Sequence, residues 1–417
     1  MPGVPKTQTV ETVLKAVFAI KSKYNFAYVS PIVKHLNEFG CEIELFFDKW
    51  WSRNKPTTAL KEFLDQTDTT TSRWIKRRSD KWRRWIFPLR EILTYADYNI
   101  REGQSPYYAK RWGELWIPYA IPFKGVVSNK IVYRWLSKFE KYVPPDGKIV
   151  QKLIEIKPDV VIATPMNHRF CEEVEYVKAA KALGIPTVAV AQTWDNLTTK
   201  GLFHVIPDMV LVWNEADKSV ATEVHRVPED RVVVTGAPFF DKWFEKQDIR
   251  KPLVDKPYVL YLGSSRNIIK DETELVLATQ KKYGLPMIVR AHPANTRYLM
   301  RMKGDNLLVM PAELPESKKQ QSELYSVIHH CEFAVGVNTS AMIDVIIQDK
   351  PCLALKGHDA TQGQTIHFKR MLQALGTDGD RAGFVKEFIR PHGNVPAGLI
   401  AAERIKELGA KTFHRGV

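Results

Sequence analysis

Short apolar runs alternate with amphipathic segments along most of the chain, a pattern typical of parallel α/β sheets. The first series, between residues 13 and 236, contains VLKAVFAI, EIELFFD, DVVIAT, TVAVAQ, DMVLVW and RVVVTG. A second series begins at residue 258 with YVLYLGSS and continues through PMIVRAHP, NLLVMP, FAVGV and PCLAL. The sequence therefore predicts an α/β protein with two doubly wound, Rossmann-like halves.

The 417 residues exceed what a single core usually holds, so we expect more than one domain. The charged, Pro-containing stretch at 245–257 is predicted as the linker. We place an N-terminal domain at 1–247, a C-terminal domain at 248–392, and a final helix at 393–417 that could pack back on the N-terminal domain. The alternation breaks between about 50 and 140, which predicts an insertion in the first domain.

The insertion contains RWIKRRSDKWRRWIFPLR, residues 73–90, where tryptophans stand among eight Lys or Arg and a single acid. Such a stretch fits an interfacial helix on an anionic membrane, a nucleic-acid surface, or a cover helix with a solvated basic face. The predicted membrane or acceptor surface comprises Trp74, Arg77, Arg78, Trp82, Arg83, Arg84 and Trp85.

The net charge and the cysteines indicate which partners and which cellular compartment to expect. The formal charge of +14 favours anionic partners without choosing among them. The four cysteines are far apart in sequence, which favours reduced thiols. No apolar run approaches the roughly 18 residues needed to cross a bilayer. We therefore expect a cytoplasmic protein that could lie on the inner face of the plasma membrane, and no nucleic-acid partner, because no nucleic-acid motif is present.

In open α/β sheets, ligands bind beyond the carboxyl ends of the strands, so residues that follow strands are the candidates. At 334–345, AVGVNTSAMIDV, a helix starting after Asn338, Thr339 and Ser340 would offer backbone N–H groups to a phosphate. Asp344, one turn deeper, could accept hydrogen bonds from ribose hydroxyls. The alternative is an ordinary N-cap with a solvated Asp.

Two other strand ends in the second half carry donors. YLGSSRN places Ser264, Ser265 and Arg266 in a turn of phosphate size, although it lacks the GxGxxG spacing. VRAHPAN places Arg290 and His292 at a strand end, where a histidine is also often structural. Together these strand ends predict an anionic ligand in the C-terminal half.

The first half offers candidates for the chemistry. Asp195, in AQTWDNLTTKG, is a candidate base, or else an Asx-turn or helix cap. His168, in ATPMNHRF, is a second strand-end candidate. The predicted sugar- or acceptor-binding residues are Gln192, Trp194, Asn196, Gln364, Thr365 and His367.

The motifs RAHP and NTSAMIDVIIQDKP resemble those of GT-B glycosyltransferases, in the branch of CDP-glycerol glycerophosphotransferases and capsular polysaccharide enzymes. Ala291 stands where that branch has Pro, Asp344 where Glu is commoner, and Asp349 in place of Gly. The resemblance implies two Rossmann-like domains facing a central cleft, with a UDP, CDP or GDP sugar on the C-terminal domain. It implies an acceptor on the N-terminal domain, and neither a metal nor another cofactor.

Glycosyl transfer needs a base on the acceptor hydroxyl and positive charge on the departing diphosphate. We expect catalytic roles for Asp195, His292 and His168, and diphosphate or ribose contacts from the strand-end residues of the second half. The expected function is sugar transfer to a cell-surface glycan or lipid-linked acceptor. A nucleotide-sugar 2-epimerase, a CDP-polyol phosphotransferase and a basic nucleic-acid-binding protein are the alternatives; an epimerase would need several carboxylates and histidines around the sugar.

Overall fold

A computed structural model describes residues 13–53, 58–101, 123–266, 268–293, 295–310, 317–337, 339–355 and 366–413, with the side chains of 366–368 and 412–413 outside the description. The strands are β1 Lys15–Ile20, β2 Glu42–Phe47, β3 Thr70–Trp74, β4 Val160–Thr164, β5 Thr187–Val190, β6 Met209–Val212, β7 Val232–Val234, β8 Val259–Leu262, β9 Met287–Arg290, β10 Leu307–Met310, β11 Phe333–Gly336 and β12 Cys352–Ala354.

The α-helices are α1 Phe26–Glu38, α2 Thr58–Leu64, α3 Arg83–Ile100, α4 Lys124–Val127, α5 Lys130–Tyr142, α6 Gly147–Ile156, α7 Glu173–Ala182, α8 Asn196–Thr199, α9 Glu215–Glu223, α10 Thr273–Tyr283, α11 Lys318–His330, α12 Ala341–Ile347, α13 Ile366–Met371, α14 Arg381–Phe384 and α15 Ala397–Phe413. A 3-10 segment, Pro238–Phe244, follows β7, and Val385–Ile389 forms a π turn. None of the helices in the described ranges has the length and apolarity needed to cross a bilayer.

Two parallel sheets organise the chain, which confirms the predicted pair of Rossmann-like halves. Within the described residues the first sheet has the strand order β3-β2-β1-β4-β5-β6-β7 and the second has β10-β9-β8-β11-β12. Apolar clusters cover both faces of the first sheet, so its inner strands are continuous apolar runs rather than alternating ones. The strand order reverses between β1 and β4 and between β8 and β11, the positions where such sheets bind ligands.

The insertion differs from its prediction. Residues 70–74 form β3, which pairs with the edge of β2, and helix α3 begins only at Arg83. The β3 sequence TTSRW leaves four of five side chains exposed, so it carries no apolar pattern that would reveal a strand. The stretch at 73–90 is therefore a strand end, a connection and a helix start, and not one continuous interfacial helix.

Several cations of that stretch serve internal ion pairs. Arg78 is 1% exposed and bonds the carboxylates of Asp80 and Glu175, so the prediction that it contacts a membrane is wrong. Arg77 pairs with Asp48 and Arg83 with Glu172. Trp82 is half-buried against Phe139. Trp74, Arg84 and Trp85 are exposed.

Glu175, in α7, joins the insertion to the first sheet. Its two carboxylate oxygens each accept a 2.6 Å hydrogen bond, one from Arg78 and one from Arg90. Arg90 also donates to Glu140 of α5, which accepts from Lys178 of α7. These groups are almost entirely buried, and the network holds α3 and α5 against α7.

The last helix, α15, packs on the first domain. Ala401, Ala402 and Ile405 belong to the same apolar cluster as β1. The carboxylate of Asp241, just after β7, accepts hydrogen bonds from the first backbone N–H groups of α15, at Ala397 (3.0 Å) and Gly398 (2.7 Å). A Cβ on Gly398 would lie 2.7 Å from the Pro31 side chain, so glycine is what lets α15 approach α1 this closely. The chain thus returns to its first half after completing the second sheet.

Candidate active site

A cavity of about 110 Å³ lies between the carboxyl ends of the two sheets. From the first half it is lined by Tyr24, Tyr28, Thr193, Trp194, Trp213, Phe239 and Phe240. From the second half it is lined by Gly263, Arg290, His292, Pro293, Thr339, Ser340, Ala341, Ile343 and Asp344. Of the predicted site residues, the structure therefore brings together Trp194, Arg290, His292, Thr339, Ser340 and Asp344.

Arg290, at the end of β9, is the buried cation of this cavity. It is 9% exposed, and burial lowers the pKa of its guanidinium while the neighbouring Asp344 opposes that change. Burial and the Arg290 charge lower the pKa of His292 to about 4, so at neutral pH this imidazole is uncharged. His292 therefore offers hydrogen bonding but no charge, and among the described residues that line the cavity Arg290 is the cation that can neutralise an anion.

Gly263 lets two strand ends meet behind these side chains. Its N–H donates to the Arg290 carbonyl at 2.8 Å, and a Cβ at this position would lie 2.9 Å from the backbone nitrogen of His292. Only glycine fits, because no other residue lacks that carbon. The tight contact positions Arg290 and His292 at the cavity.

Asp344, in α12, already has one partner that the sequence did not reveal. The indole N–H of Trp243 donates to its Oδ1 at 2.8 Å. Burial raises the pKa of Asp344, and the positive charges of Lys242 and Arg290 partly offset this increase. A carboxylate has about four acceptor positions, so one indole leaves capacity for ligand hydroxyls. In the sequence, Trp243 stands in the aromatic run PFFDKWF at 238–244. Such a run predicts a packed apolar segment and does not predict a hydrogen bond to Asp344.

The start of α12 contributes less than its sequence suggested. The helix has seven residues, and Ser340, just before it, is exposed and makes no capping hydrogen bond from its side chain. Thr339 Oγ1 lies 3.5 Å from the Ala341 nitrogen. A short helix offers few aligned peptide dipoles, so the positive charge of the cavity rests mainly on Arg290. Asn338 lies outside the described residues.

Ser264 and its neighbours are not placed as predicted. The Ser264 backbone N–H donates to both oxygens of Glu272 at 3.0 Å, and its side chain is fully buried, so this residue cannot bind a phosphate in the cavity. Ser265 is half-buried and Arg266 is exposed, and neither lines the cavity. Glu272, which sequence analysis missed, also accepts from Tyr261 and anchors this loop from inside.

Asp195 lies beside the cavity in a local network. Its oxygens accept from Thr193 Oγ1 (2.6 Å) and Thr199 Oγ1 (2.9 Å), and it pairs with Lys200 at 2.9 Å. Burial is the main reason that the pKa of Tyr28 is raised, and Tyr24, Asp195 and Asp344 add to this increase. Both carboxylates therefore lie near this cavity residue. A role for Asp195 as base stays a prediction, and these contacts also suit a turn-stabilising role.

Asn196 and Gln192 support this loop from behind. Asn196 is buried, and its Oδ1 accepts from the backbone nitrogens of Gln192 (2.6 Å) and Thr193 (2.8 Å). The predicted sugar contact by Asn196 is therefore corrected to a positioning role. Gln192 accepts from Asn25 at 2.7 Å, and its buried amide nitrogen has no partner among the described residues.

His168 lies behind the same loop, 3.2 Å from the Asn196 amide. Burial, together with Lys200 and Lys21, lowers its pKa well below the usual value, so the imidazole is neutral. It does not line the cavity, and its predicted catalytic role is left without a direct contact there. Gln364, Thr365 and the side chain of His367 lie outside the described residues.

Glu173, the first residue of α7, is a buried acid that sequence analysis missed. It is fully buried, and its carboxylate is approached by its own backbone N–H and by the Cys171 thiol, without a well-formed hydrogen bond to either oxygen among the described residues. Burial raises its pKa from 4.5 to about 7, with partial opposition from Lys21. Because the unfolded chain releases this proton at lower pH than the folded one, ionisation of Glu173 destabilises the fold as pH rises from about 4.5 to 7.

We expect Glu173→Gln to stabilise the protein at pH 8 and to change little at pH 4. A pKa difference of this size corresponds to roughly 3 kcal/mol at most, from about 1.4 kcal/mol per pH unit. Urea denaturation at both pH values measures the effect. Glu223→Gln, at an exposed position, is the control and should show no such pH dependence. Equal stability of the Glu173 variant and the parent at pH 8 would contradict the assignment.

Comparisons with known proteins agree on the architecture. No protein-family model matches the chain, and no curated protein matches it by sequence. S. aureus MnaA in a co-structure with UDP is 12% identical, with 97% of this chain and 98% of that chain covered and a TM-score of 0.52. The Methanocaldococcus jannaschii UDP-GlcNAc 2-epimerase bound to UDP-GlcNAc and UDP is 13% identical, with 95% and 100% covered and a TM-score of 0.51. A putative UDP-N-acetylglucosamine 2-epimerase from Listeria monocytogenes is 11% identical, with 97% and 98% covered and a TM-score of 0.51.

The chain has a GT-B fold. Coverage of nearly the whole length of each protein, with both parallel sheets, establishes this architecture. In the GT-B arrangement the two sheets present their carboxyl ends to one cleft, where the cavity around Arg290 and Asp344 lies. The comparisons give no support to the CDP-glycerol branch in particular.

Proposed function

We propose that the protein is an enzyme that binds a nucleotide sugar in the cleft between its two sheets. The observation that carries this proposal is the convergence of a buried cation, Arg290, and a buried carboxylate, Asp344, in one cavity at the carboxyl ends of both sheets. A nucleoside diphosphate presents both matching groups, an anionic diphosphate and vicinal ribose hydroxyls. The cavity is also the place where the fold favours ligand binding.

Each group has a definite task in this proposal. The Arg290 guanidinium binds the diphosphate oxygens and offsets the charge that develops there if the bond to the sugar breaks. His292 adds a hydrogen bond from a neutral ring. Asp344 accepts from ribose while Trp243 fixes its orientation. Tyr24, Tyr28 and Trp194 form an aromatic wall opposite, suited to the face of a sugar or base.

Nucleotide-sugar 2-epimerisation is the first candidate for the chemistry. Two of the proteins compared above are UDP-GlcNAc or UDP-N-acetylglucosamine 2-epimerases by name, and this likeness supports epimerisation better than sugar transfer. Inversion at C2 requires that the C2–H bond is broken and re-formed on the other face. Asp195, on the first half beside the cavity, is the described residue that we assign to moving that proton, and His168 supports its loop from behind.

Glycosyl transfer is the second candidate, and one observation favours it. Among the described residues lining the cavity, the first half contributes aromatic and threonine side chains but no carboxylate or histidine. An epimerase needs acid–base groups around the sugar, whereas a transferase needs one base on the acceptor hydroxyl. Asp195, immediately beyond Trp194, is the residue we assign to that base.

One experiment separates the chemistries. The purified protein is incubated in D2O with UDP, CDP or GDP sugars or with a CDP-polyol, and the recovered nucleotides and nucleotide sugars are examined by mass spectrometry and NMR. Epimerisation predicts the C2 epimer with deuterium at C2. Glycosyl transfer predicts release of a nucleoside diphosphate that depends on an added acceptor, and phosphopolyol transfer from a CDP-polyol predicts release of CMP.

Binding is tested separately by thermal denaturation with UDP, CDP, GDP, CMP and TDP. A ligand at a hundred times its Kd stabilises the folded state by about 2.7 kcal/mol. Asp344→Asn keeps an acceptor for Trp243 and is expected to weaken the stabilisation. Absence of stabilisation by every nucleotide and of turnover of every nucleotide sugar would overturn the proposal.

A further inference from the structure

Helix α5, Lys130–Tyr142, turns apolar and aromatic side chains toward solvent. Ile131 is 67% exposed, Trp135 74% and Tyr142 83%. Phe139 is also exposed, and these positions share one face at helical spacing. A surface helix of a globular protein normally buries its apolar stripe and exposes a polar one, so this outer face is unusual.

The inner face of α5 is already satisfied by the fold. Tyr133 and Leu136 pack against the cluster formed by α3. Glu140 is 1% exposed and is held by Arg90 and Lys178. The exposed aromatic residues are therefore not an alternative core face, because the helix has another face that performs that task.

The outer face is also strongly cationic. Lys130, Arg134, Lys138 and Lys141 alternate with the exposed apolar residues, and none of the four makes an ion pair within the described residues. The only acid between residues 123 and 142 is the buried Glu140. The neighbouring helix α4 adds exposed Val126 and Lys124. The surface thus combines positive charge with apolar area and offers no exposed carboxylate.

A cavity of about 800 Å³ opens beside this face. Leu93 of α3 lines it together with Ile131 and with Leu202 and Phe203, which follow α8. Arg134 and Lys138 lie on the same lining. An apolar recess bordered by cations is suited to an amphiphile whose anionic head stays at the rim and whose chain enters the recess.

We infer that the outer face of α5, with α4, docks on an anionic lipid bilayer. Lysine and arginine contact lipid phosphates while Trp135 and Tyr142 enter the interfacial region. Ile131 and Val126 favour lipid over nucleic acid, because aliphatic side chains offer no aromatic face on which bases stack. This inference does not depend on the proposed function, since it needs no nucleotide sugar.

The surface replaces the predicted one at 73–90. Trp82 packs on Phe139 with ring centroids 5.8 Å apart, so the start of α3 lies next to α5. Exposed Arg84 and Trp85 can extend the contact from there. The buried and ion-paired arginines of that stretch remain internal.

Vesicle co-sedimentation of the full chain tests the inference. The parent is expected to bind vesicles of phosphatidylcholine with phosphatidylglycerol, more weakly as salt rises, and to bind pure phosphatidylcholine poorly. Each cation near an anionic surface contributes about 1 kcal/mol, or about fivefold, so Arg134→Ala with Lys138→Ala should lower binding roughly 25-fold. Trp135→Ser should also lower vesicle binding, and should do so at every salt concentration.

Matched controls alter similar exposed residues elsewhere. Trp50→Ser removes another exposed tryptophan, and Lys281→Ala removes a cation from α10 of the second half; both should bind vesicles like the parent. Thermal denaturation verifies that every variant folds. Failure of the parent to bind anionic vesicles, equal loss in the controls, or binding to single-stranded polynucleotide without binding to vesicles would overturn the inference. Nucleotide binding in solution is measured in parallel, so failure here is distinguishable from failure of the proposed function.

Discussion

Replacing Arg290 by Gln is expected to weaken nucleotide binding in the cleft at least about 30-fold. Arg290 is 9% exposed and is the buried cation among the described residues that line the cavity. Once it is removed, water has little access to this position and cannot stabilise the diphosphate charge in its place. Truncating one member of a buried, hydrogen-bonded charge pair costs about 2–5 kcal/mol. We therefore expect Kd to rise by roughly 30- to 5,000-fold, measured by calorimetric titration with UDP, CDP and GDP.

Arg266→Gln is the matched control for this experiment. It removes the same charge from the same half of the molecule, but Arg266 is exposed and does not line the cavity. Its Kd should change less than threefold, because solvent screens an exposed charge. If the Arg290 variant is folded and binds nucleotide like the parent, the diphosphate does not lie where we place it.

Replacing Glu175 by Gln is expected to have the largest effect on stability. Glu175 is fully buried and accepts hydrogen bonds from both Arg78 and Arg90. Its neutralisation leaves two buried guanidinium groups with less compensating charge, and breaking such a pair typically costs 3–5 kcal/mol. Urea denaturation should show this loss in the free energy of unfolding.

Glu407→Gln provides the comparison for Glu175. Glu407 pairs with Arg404 at 2.9 Å on the exposed side of α15, where an ion pair contributes about 0–1 kcal/mol. The two substitutions change the same chemical group and differ only in burial and partners. A loss below 1 kcal/mol for the Glu175 variant would show that the network does not hold the insertion in place.

The sequence was informative where local pattern determines structure. Apolar runs identified the inner strands of both sheets, because strands buried on both faces have no polar side to interrupt them. From this the carboxyl ends, and with them Arg290, His292 and Asp344, could be placed near one another. Strand β3 was missed because it is an exposed edge with little apolar character.

Side-chain partners were the part that sequence could not supply. Arg78 looked like a surface cation, and its partner Glu175 is 97 positions away. Asn196 and Ser264 looked like ligand contacts, yet the Asn196 amide oxygen is used by Gln192 and Thr193, and Ser264 is fully buried with its backbone N–H held by Glu272. Such pairing depends on how distant segments pack, and no local spacing encodes it. The outer face of α5 is a similar case, because only its contact with α3 shows which side remains open.

The return of α15 to the first half has a consequence for biosynthesis. Ala401, Ala402 and Ile405 complete the cluster that includes β1, although nearly the whole chain separates them from it. During translation, the amino-terminal half therefore emerges with a gap in its interior that stays open while the second half is made. Until residues 397–413 leave the ribosome, the nascent protein exposes that apolar surface, so this interval is when it is most exposed to aggregation and has most need of a chaperone.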